Sequence, residues 1–495
     1  MQGEMGALHD LHTSTNGVYW AWSSNETEAG ARWDFSTNES TGLYLYDPCG
    51  GSANLAWQGV TCLNGSTIDK LELRGFNLSG SVPDSIDQLS NLSYLQMWNN
   101  RVTGTMPSTI GNLVKLKMID FDACSLTGTI PKSITKLTNL GQFWVSENSM
   151  SGSLPYEFGN FASSLRGLNL GLNFFSGTIP TSFGNLTDLM LLGLDYNLFT
   201  GSIPSVMGNM LNVVIFGISN CNLSGSIPSE LANLQSVQFL YLQSNAFTGT
   251  VPPELGQLTT VLALYLVNNV LSGRVPSELG GLVSIQDFYM DDNLFSGTIP
   301  KDLLSGMLSL EVLRFQRNRL TGSLTGHFLG DEGGRIYPSL VNVDFSDNRL
   351  SGNVPHDLFE AAPNLLTVAL TLNCFGGSLA SSICAARNIT VLSMDGLGAA
   401  QHCKHEVQMP LTGVVLDNAL TGTIPACVWS LPQLQVLHLT GNGKSYRDCF
   451  RNFTLHNHFF VGLSGSILDL LTVDSALTTL AIGETLMKSG AGIAD

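Results

Sequence analysis

Few residues in this sequence have the types and spacing that catalysis requires. The segment Gly441–Ser445 ends like a phosphate-binding loop, but His438 occupies the position where such a loop needs its first glycine. His405 and Glu406 are not followed by a second histidine at the spacing of a metalloprotease helix. The sequence also lacks a nucleophile elbow and the motifs of a kinase. We therefore expect no enzymatic activity and no cofactor.

Metal-ligating residue types cluster in one part of the chain, at Cys384, His402, Cys403 and His405. Histidine and cysteine bind zinc, but this spacing matches no zinc motif. An insertion held by disulfides is the simpler interpretation. Plausible pairs are Cys384 with Cys403 and Cys427 with Cys449. We expect no metal site.

The composition excludes several classes of partner. Of the 495 residues only 12% are charged, and the net charge is −17. This charge repels the phosphates of nucleic acids and anionic membranes. The most apolar stretch, Ile467–Leu486, contains three acidic residues, so we expect no membrane span in this chain. The first six residues do not start a signal peptide, so the chain as given is expected to carry none.

A glycine recurs along most of the chain with a period of 24 residues, from Gly80 to Gly297 with one interval of 25. Looser copies follow at Gly322, Gly352, Gly377, Gly422 and Gly465, which makes about 15 units. A fixed period of 20 to 29 residues is typical of leucine-rich repeats.

The residues that precede the glycine have the same types in most units, and each type has a structural reason. Apolar residues nine and seven positions earlier, such as Leu95 and Met97, alternate as on one face of a short strand. An asparagine four positions earlier, such as Asn100, can bond backbone groups of the adjacent turn and so build a ladder through the repeats. Cys124 and Cys221 replace this asparagine in two units and are predicted to be buried free thiols.

The residues that follow the glycine also have fixed types. A proline three positions later rigidifies the turn that leaves the strand, and an apolar residue three positions beyond it, such as Ile86, is predicted to enter the core. Stacked units then form a parallel sheet.

The motif that ends each strand resembles that of a known family. Leu126–Pro131 and Leu223–Pro228 both read Leu-Ser/Thr-Gly-X-Ile-Pro. This resembles the plant-type leucine-rich repeat of receptor-like kinases, receptor-like proteins and polygalacturonase inhibitors. The resemblance implies an α/β repeat solenoid, a right-handed superhelix whose parallel sheet lines the concave face.

The N-terminal segment resembles the cap that precedes such repeats in extracellular proteins. Its markers are Trp20, Asp47-Pro48-Cys49 and Trp57–Cys62. The resemblance implies a disulfide between Cys49 and Cys62 and therefore an oxidising compartment. Nine N-glycosylation sequons are consistent with secretion, at Asn25, Asn38, Asn64, Asn77, Asn91, Asn185, Asn222, Asn388 and Asn452.

These patterns divide the chain into five segments. We expect an N-terminal cap at 1–66, a regular array at 67–395, an insertion at 396–411, irregular terminal repeats at 412–465 and a C-terminal tail at 466–495. Residues 328–338 are predicted to form a surface loop within the array. The tail is interpreted either as a weak helical cap or as the point where a longer protein was cut.

Ligand contacts are predicted on the strand residues that alternate with the buried pair. At these positions tyrosines occupy three successive units, and charged residues follow them; a tryptophan pair lies earlier in the chain. Tyrosine, tryptophan and arginine are enriched at binding hot spots, although aromatic pairs across strands also stabilise sheets without any ligand. The candidate ligand-binding residues are Trp98, Trp144, Tyr241, Tyr265, Tyr289, Asp291, Asp292, Arg314 and Arg317.

The leading hypothesis is a non-catalytic recognition module that binds a peptide or protein partner on the concave face, with a co-receptor as a further partner. It would be the extracellular or cell-surface part of a receptor-like protein, and a cytoplasmic scaffold is the alternative location. One rival function is inhibition of a cell-wall-degrading hydrolase, as the resemblance to polygalacturonase inhibitors allows. Another is an ice-binding or structural role, because Ser or Thr flanks most of the repeat glycines.

Overall fold

The structure, a computed structural model, describes residues 2–25, 29–50, 55–324, 336–394 and 425–438. The chain divides into two units, residues 1–246 and 247–495, and the boundary falls within the strand Ala246–Gly249. Repeats of leucine-rich type build both units, as the glycine period predicted.

The main sheet of the first unit has one strand for each repeat. Val60–Leu63 pairs antiparallel with Thr67–Glu72, and every later neighbour is parallel. The later strands are Tyr94–Gln96, Met118–Asp120, Gln142–Trp144, Gly167–Asn169, Leu191–Gly193, Ile215–Gly217 and Phe239–Tyr241.

The main sheet of the second unit is parallel throughout. Its strands are Ala263–Tyr265, Asp287–Tyr289, Val312–Arg314, Asn342–Asp344, Thr367–Ala369, Val391–Ser393 and Val436–His438. In both units the residues nine and seven positions before the glycine are buried, for example Phe143 and Val145 at 0% exposure. We call the opposite, outward surface of each main sheet its strand face.

A short helix follows the main strand in most repeats. In ten of the 3₁₀ helices the residue before the helix is the repeat proline, which already has the extended backbone that leads into the turn. The apolar residue three positions after that proline is buried, as predicted, for example Ile86 at 0% and Leu255 at 0%. The core therefore lies between the main sheet and these helices.

The 3₁₀ helices are Gly17–Tyr19, Asp84–Gln88, Ser108–Asn112, Lys132–Lys136, Tyr156–Phe161, Thr181–Asn185, Ser205–Asn209 and Ser229–Asn233 in the first unit. Those of the second unit are Pro253–Gln257, Ser277–Gly281, Ser381–Ala385 and Ala426–Ser430, and one repeat there has an α-helix instead, Asp357–Ala361.

Each unit has a second parallel sheet along its repeat glycines, which the sequence analysis did not predict. The strands in the first unit are Thr127–Gly128, Ser149–Ser153, Phe174–Thr178, Leu198–Gly201 and Asn222–Gly225. Those of the second unit, with the boundary strand Ala246–Gly249, are Val270–Gly273, Leu294–Thr298, Arg319–Ser323, Arg349–Asn353 and Cys374–Gly376. Ser79–Gly80 and Arg101–Val102 form a separate pair. The backbone N–H and C=O groups beside each glycine need hydrogen-bond partners, and the equivalent segment of the neighbouring repeat supplies them.

The asparagine ladder forms as predicted. In Asn197, Oδ1 accepts the N–H of Phe175 at 2.9 Å, and Nδ2 donates to the carbonyls of Leu170 and Leu194 at 3.0 Å each. The asparagines are nearly all buried, and the same pattern recurs at Asn100 and Asn348. The side-chain amide of each of these asparagines is therefore satisfied by backbone groups of its own and the preceding repeat.

The N-terminal cap closes the first unit. Helix Gln2–Ser14 buries Leu8 and Leu11 at 0% exposure and lies against the 3₁₀ helix Asp84–Gln88. Its end approaches Gly80 so closely that a Cβ there would lie 2.0 Å from the Ser14 carbonyl oxygen. Rings of the cap pack edge to face and in stacks, including Trp20 with Trp33 at 4.8 Å between centroids.

The cysteines confirm one predicted pairing and correct another. Cys49 and Cys62 are bonded, with their Cα atoms 5.6 Å apart. The predicted pairs Cys384–Cys403 and Cys427–Cys449 are wrong, because Cys384 bonds Cys427, at 5.7 Å between Cα atoms. Cys384 lies in the helix Ser381–Ala385 and Cys427 in the helix Ala426–Ser430, and these two helices are in contact although 43 residues separate the cysteines. Cys374 is also disulfide-bonded.

The two ladder cysteines are free, as predicted, but only Cys221 is buried, since Cys124 is half-buried. Several other predictions lie outside the described residues: the insertion with His402, Cys403 and His405, most of the loop at 328–338, the sequon at Asn452 and the tail at 466–495.

Candidate functional site

The strand register aligns the predicted surface residues into columns. In the first unit Gln96 lies opposite Asp120, Asp120 opposite Trp144 and Trp144 opposite Asn169. The same column continues through Gly193 and Gly217 to Tyr241. The alternation of buried and outward residues in short strands explains why this column could be read from sequence.

The corresponding column of the second unit holds the best-formed cluster. Tyr265, Tyr289 and Arg314 lie opposite one another on adjacent strands. The two tyrosine rings are stacked, with centroids 4.4 Å apart and planes 3° from parallel. The Arg314 guanidinium lies over the Tyr289 ring, 4.8 Å from its centroid. We call these three side chains the tyrosine–arginine stack.

Asp287 holds the stack at its edge, and sequence analysis did not single it out. The Tyr265 hydroxyl donates to Asp287 Oδ2 at 3.2 Å. Burial, together with the Asp287 carboxylate, raises the pKa of both Tyr265 and Tyr289, so both phenols remain protonated at physiological pH. Asp287 occupies the first position of the same strand as Tyr289, an outward position that the strand periodicity does predict.

Asp291, one of the predicted ligand contacts, is nearly buried. Its side chain is only 5% exposed, and Oδ2 accepts a hydrogen bond from Gln316 Nε2 at 2.9 Å. The other oxygen, Oδ1, and Gln316 Oε1 are buried without a hydrogen-bond partner. Burial raises the pKa of Asp291 to about 6. Asp291 therefore exposes little surface, and its side chain is held by the hydrogen bond from Gln316.

Asp292 and Arg317 form an ion pair beside this buried pair. Both residues have left-handed backbone, with φ of 53° and 52°. The hydrogen bonds that Arg317 donates to the Asp292 carboxylate raise the pKa of Arg317. Both charges are partly exposed, so the ion pair contributes little to stability and is accessible to a partner.

The tryptophan pair of the first unit does not form a ring contact among the described residues. Trp98 is 36% exposed and Trp144 is half-buried, with its Nε1 buried and unpaired. Asp120 lies beside Trp144, and burial raises the pKa of Asp120 to about 6. Burial also raises the pKa of Asp122, whose Oδ1 accepts the Ser146 N–H at 2.6 Å.

Tyr241 belongs to the last main strand of the first unit and lies 6.1 Å from the ring of Phe239. It is half-buried. The predicted residues thus fall into two groups, one on each unit, and in the second unit the side chains of Tyr265, Tyr289 and Arg314 contact one another.

The hydroxyl rows beside the repeat glycines have structural partners. Thr103 and Thr127 each donate to the carbonyl of the glycine in the preceding repeat, Gly80 and Gly104, at 3.1 and 3.2 Å. Ser224, Ser272 and Ser351 do the same at longer distances. These hydrogen bonds account for the rows without an ice-binding role.

Seven of the eight sequon asparagines that the structure describes are exposed, and Asn91 is half-buried because it accepts a hydrogen bond from Lys115 at 2.6 Å. In the described part of the chain, no group of three His, Cys, Asp or Glu side chains is arranged to hold a metal ion. No helix there is both long and apolar enough to cross a membrane.

Comparisons with known proteins agree with the repeat architecture. A family model described as Leucine Rich Repeat matches residues 91–113, 164–186, 212–234 and 236–258. The chain is similar to the LRR receptor-like serine/threonine-protein kinase GSO2 of Arabidopsis thaliana, with 39% identity over 80 residues, which are 16% of this chain and 6% of that protein. It is also similar to the Nodulation receptor kinase of Pisum sativum, with 36% identity over 74 residues, 14% of this chain and 8% of that protein.

Solved structures show the same fold over most of the chain. The ectodomain of the Arabidopsis thaliana receptor kinase GASSHO1/SCHENGEN3, in complex with CASPARIAN STRIP INTEGRITY FACTOR 2, superposes with a TM-score of 0.73 and 25% identity. That match covers 93% of this chain and 47% of the other. The Arabidopsis receptor kinase HAESA was solved in complex with the peptide hormone IDA and the co-receptor SERK1. It superposes with a TM-score of 0.67 and 29% identity, and the match covers 93% of this chain and 70% of the other.

The sequence matches span less than a tenth of the two curated relatives, 6% and 8% of their lengths. The chain is a leucine-rich-repeat solenoid, similar in fold to the ectodomains of plant receptor kinases.

Proposed function

We propose that this chain is an extracellular recognition module, whose strand face binds an extended peptide or a protein partner, and that it acts without catalysis. The tyrosine–arginine stack carries this proposal. Tyr265 and Tyr289 are half-buried side chains on the sheet surface, while the core positions of the same strands are filled by Leu264 and Phe288. The stack is therefore not needed to fill the core.

The chemistry of the stack suits a peptide. A flat aromatic platform offers apolar contact at low cost in side-chain entropy, and tyrosine and arginine dominate measured binding hot spots. Charges of both signs flank it, with Asp287 at one side and the Asp292–Arg317 ion pair at the other. These charges can bond the polar groups of a peptide at the rim of an apolar contact.

Similar proteins support the same class of function. GASSHO1/SCHENGEN3 and HAESA were solved with a protein or peptide ligand, and HAESA also with a co-receptor. By analogy we propose a peptide ligand and a co-receptor for this chain, and we assign it to the cell exterior. The Cys49–Cys62 and Cys384–Cys427 disulfides fit an oxidising compartment.

A binding selection tests the proposal. The full chain, secreted from eukaryotic cells, would be used to select from a library of random peptides, and affinities of the enriched peptides would be measured by calorimetry. We expect the double variant Tyr265→Ala/Tyr289→Ala to lose more than about tenfold in affinity, because both anchors of the platform are removed.

The control is Tyr156→Ala, which removes a 66% exposed tyrosine from a 3₁₀ helix rather than from the strand face. Its affinity should equal that of the parent chain, and the thermal midpoints of all three proteins should be close. Equal affinity of the parent and the double variant would contradict the proposal, as would a library that yields no binder.

A further inference from the structure

An open groove runs along the 3₁₀ helices of the first unit, apart from the strand face. Its volume is about 790 Å³, within the range of about 300–1,000 Å³ that holds drug-sized ligands. Residues from four consecutive repeats line it, among them Asn185, Asn209 and Asn233. The proposed peptide ligand does not use this surface.

The groove exists because successive helices approach each other through glycines. A Cβ at Gly184 would lie 2.6 Å from the Val206 carbonyl oxygen, and one at Gly208 would lie 2.2 Å from that of Glu230. Both glycines line the groove, so bare backbone forms part of its wall. Side chains that would fill this space are therefore excluded by the packing of the repeats.

The remaining wall combines free amides with an apolar surface. Asn185, Asn209 and Asn233 each end a 3₁₀ helix, and all three are exposed. Within the described residues none of their side-chain amides makes a hydrogen bond, whereas Asn112, at the same position of an earlier repeat, donates to Asp87 Oδ2 at 2.9 Å. Leu211 adds an apolar surface that is 52% exposed.

This combination suits a carbohydrate. Sugar hydroxyls both donate and accept hydrogen bonds, as a carboxamide does, and the C–H face of a pyranose ring packs against an aliphatic side chain. Neutral amides beside an exposed leucine offer both contacts, and no charged side chain lines the groove to favour an ionic ligand.

The groove also contains a site where a carbohydrate can be attached. Asn185-Leu186-Thr187 is a sequon, and both Asn185 and Thr187 line the groove, while Leu186 is buried at 0% exposure. A Cβ at Gly159 would lie 3.1 Å from Asn185 Nδ2, the atom that becomes glycosylated, so the absence of a side chain there leaves space beside it.

We propose that Asn185 carries an N-linked glycan whose first sugars lie in this groove, bonded to Asn209 and Asn233 and packed over Leu211. In the attachment step Nδ2 forms a bond to the anomeric carbon of a polyprenyl-diphosphate-linked oligosaccharide. The bond from that carbon to the diphosphate oxygen breaks, its electron pair leaves with the diphosphate, and the amide loses one proton to the transferase. The glycan covers an apolar surface that is otherwise exposed.

The proposal rests on the extracellular location proposed above, and the test separates the two. The full chain would be secreted from eukaryotic cells, and occupancy of each sequon would be read by peptide mass spectrometry. The native protein would then be treated with a peptide-N-glycosidase in ¹⁸O water, which marks each released site as labelled aspartate. Asn222, exposed on a strand of the second sheet, is the internal reference.

We expect Asn185 to be occupied and its glycan to be released about tenfold more slowly than that of Asn222, because two hydrogen bonds and a packed face must open first. The double variant Asn209→Ala/Asn233→Ala should abolish this protection. Its folding is not at risk, since both side chains are exposed and unbonded in the described structure. Asn112→Ala, at the same helix position outside the groove, should leave the protection intact.

Three outcomes would overturn the proposal. Asn185 bare while Asn222 is occupied would show that the groove is not a glycan site, although the protein is secreted. Equal release rates at the two sites would show that the glycan projects into solvent. Bare asparagines at every sequon would overturn both this proposal and the extracellular location.

Discussion

At the scale of single residues, the repeat tolerates very few unsatisfied polar groups, and the exceptions are informative. The ladder asparagines bond at both ends, whereas Asp291 Oδ1 and Gln316 Oε1 face no donor. Two buried acceptors without a donor, each just after the end of one of two adjacent strands, are unfavourable for folding. Asp291 and Gln316 lie next to the tyrosine–arginine stack, so this loss of stability fits a binding site, where function can require a less stable arrangement.

Asp291→Asn should stabilise the protein above pH 6. The native pKa of Asp291 is about 6, above the ordinary value of 3.8. The native state therefore holds its proton more tightly, and the free energy of unfolding falls as the pH rises from 3.8 through about 6. An asparagine does not ionise and can also donate to Gln316 Oε1, so we expect a gain on the order of 2 kcal/mol at pH 8.

Denaturant midpoints at pH 4 and pH 8 measure this gain, which should be much smaller at pH 4. Asp302→Asn, on an exposed residue of the same unit, is the matched control and should change both midpoints little. A lower midpoint for Asp291→Asn at pH 8 would mean that the carboxylate itself is stabilising.

Cys221→Asn should also stabilise the protein, because it restores a step of the ladder. The thiol of Cys221 has only long contacts, to the carbonyls of Leu194 and Ser219 at 3.5 and 3.4 Å. An asparagine there would repeat the bonds of Asn197, so we expect a gain of about 1 kcal/mol in thermal or denaturant unfolding. The reverse change, Asn197→Cys, should cost at least as much, and a stable Asn197→Cys protein would argue against the ladder as a source of stability.

At the scale of elements, the 3₁₀ helices set how closely neighbouring repeats can stack. Their glycines allow backbone to contact backbone, and the proline before most of these helices fixes the turn that leads into the helix. The second sheet then pairs the remaining backbone groups around the repeat glycines, which have φ between 74° and 86° in its strands. Local conformation and inter-repeat contact therefore depend on the same few residues.

Gly256→Ala should be strongly destabilising. A Cβ at this position would lie 1.9 Å from the Glu278 carbonyl oxygen, and that oxygen belongs to the backbone and cannot rotate away. We expect a loss of about 1–3 kcal/mol or more in the free energy of unfolding. Gly376→Ala is the control in the same unit, because nothing lies within 4 Å of its Cβ position, and it should be neutral within about 0.5 kcal/mol. Similar losses in the two variants would contradict the packing argument.

At the scale of the whole molecule, the N-terminal cap makes the stability depend on pH. His12 packs among rings of the cap, 5.2 Å from both Trp20 and Phe35 between centroids. Burial, and then the nearby His9, lowers the pKa of His12 below 6.5, so the native state resists its protonation. The unfolded chain binds this proton more readily, and stability is lost as the pH falls below 6.5.

Tryptophan fluorescence should report this loss, because Trp20, Trp22, Trp33 and Trp57 in the cap are four of the seven tryptophans. We expect the unfolding midpoint read by fluorescence to drop between pH 7.5 and pH 5, and His12→Phe to reduce that drop because the phenyl ring does not ionise. His356→Phe, an exposed histidine of the second unit, should not reduce it. An identical drop in His12→Phe would assign the pH dependence to other groups.

The repeat period alone determined the fold class, the main strands, the buried pairs, the asparagine ladder and the column that places Tyr265 beside Tyr289. These features follow from sequence because equivalent residues recur at one spacing, so stacking brings like positions together at every step. The Cys49–Cys62 bond followed from the resemblance of the cap to those of extracellular relatives.

Only the tertiary structure decided which side chains actually meet. It paired Cys384 with Cys427, joined buried Asp291 to Gln316 by a hydrogen bond, formed the strands along the repeat glycines and opened the groove around Asn185. Each of these depends on contacts between neighbouring repeats. The repeat period determines the position of each residue in the stack of repeats. Side-chain volume, rotamer and competition between hydrogen-bond partners then determine which neighbours it contacts.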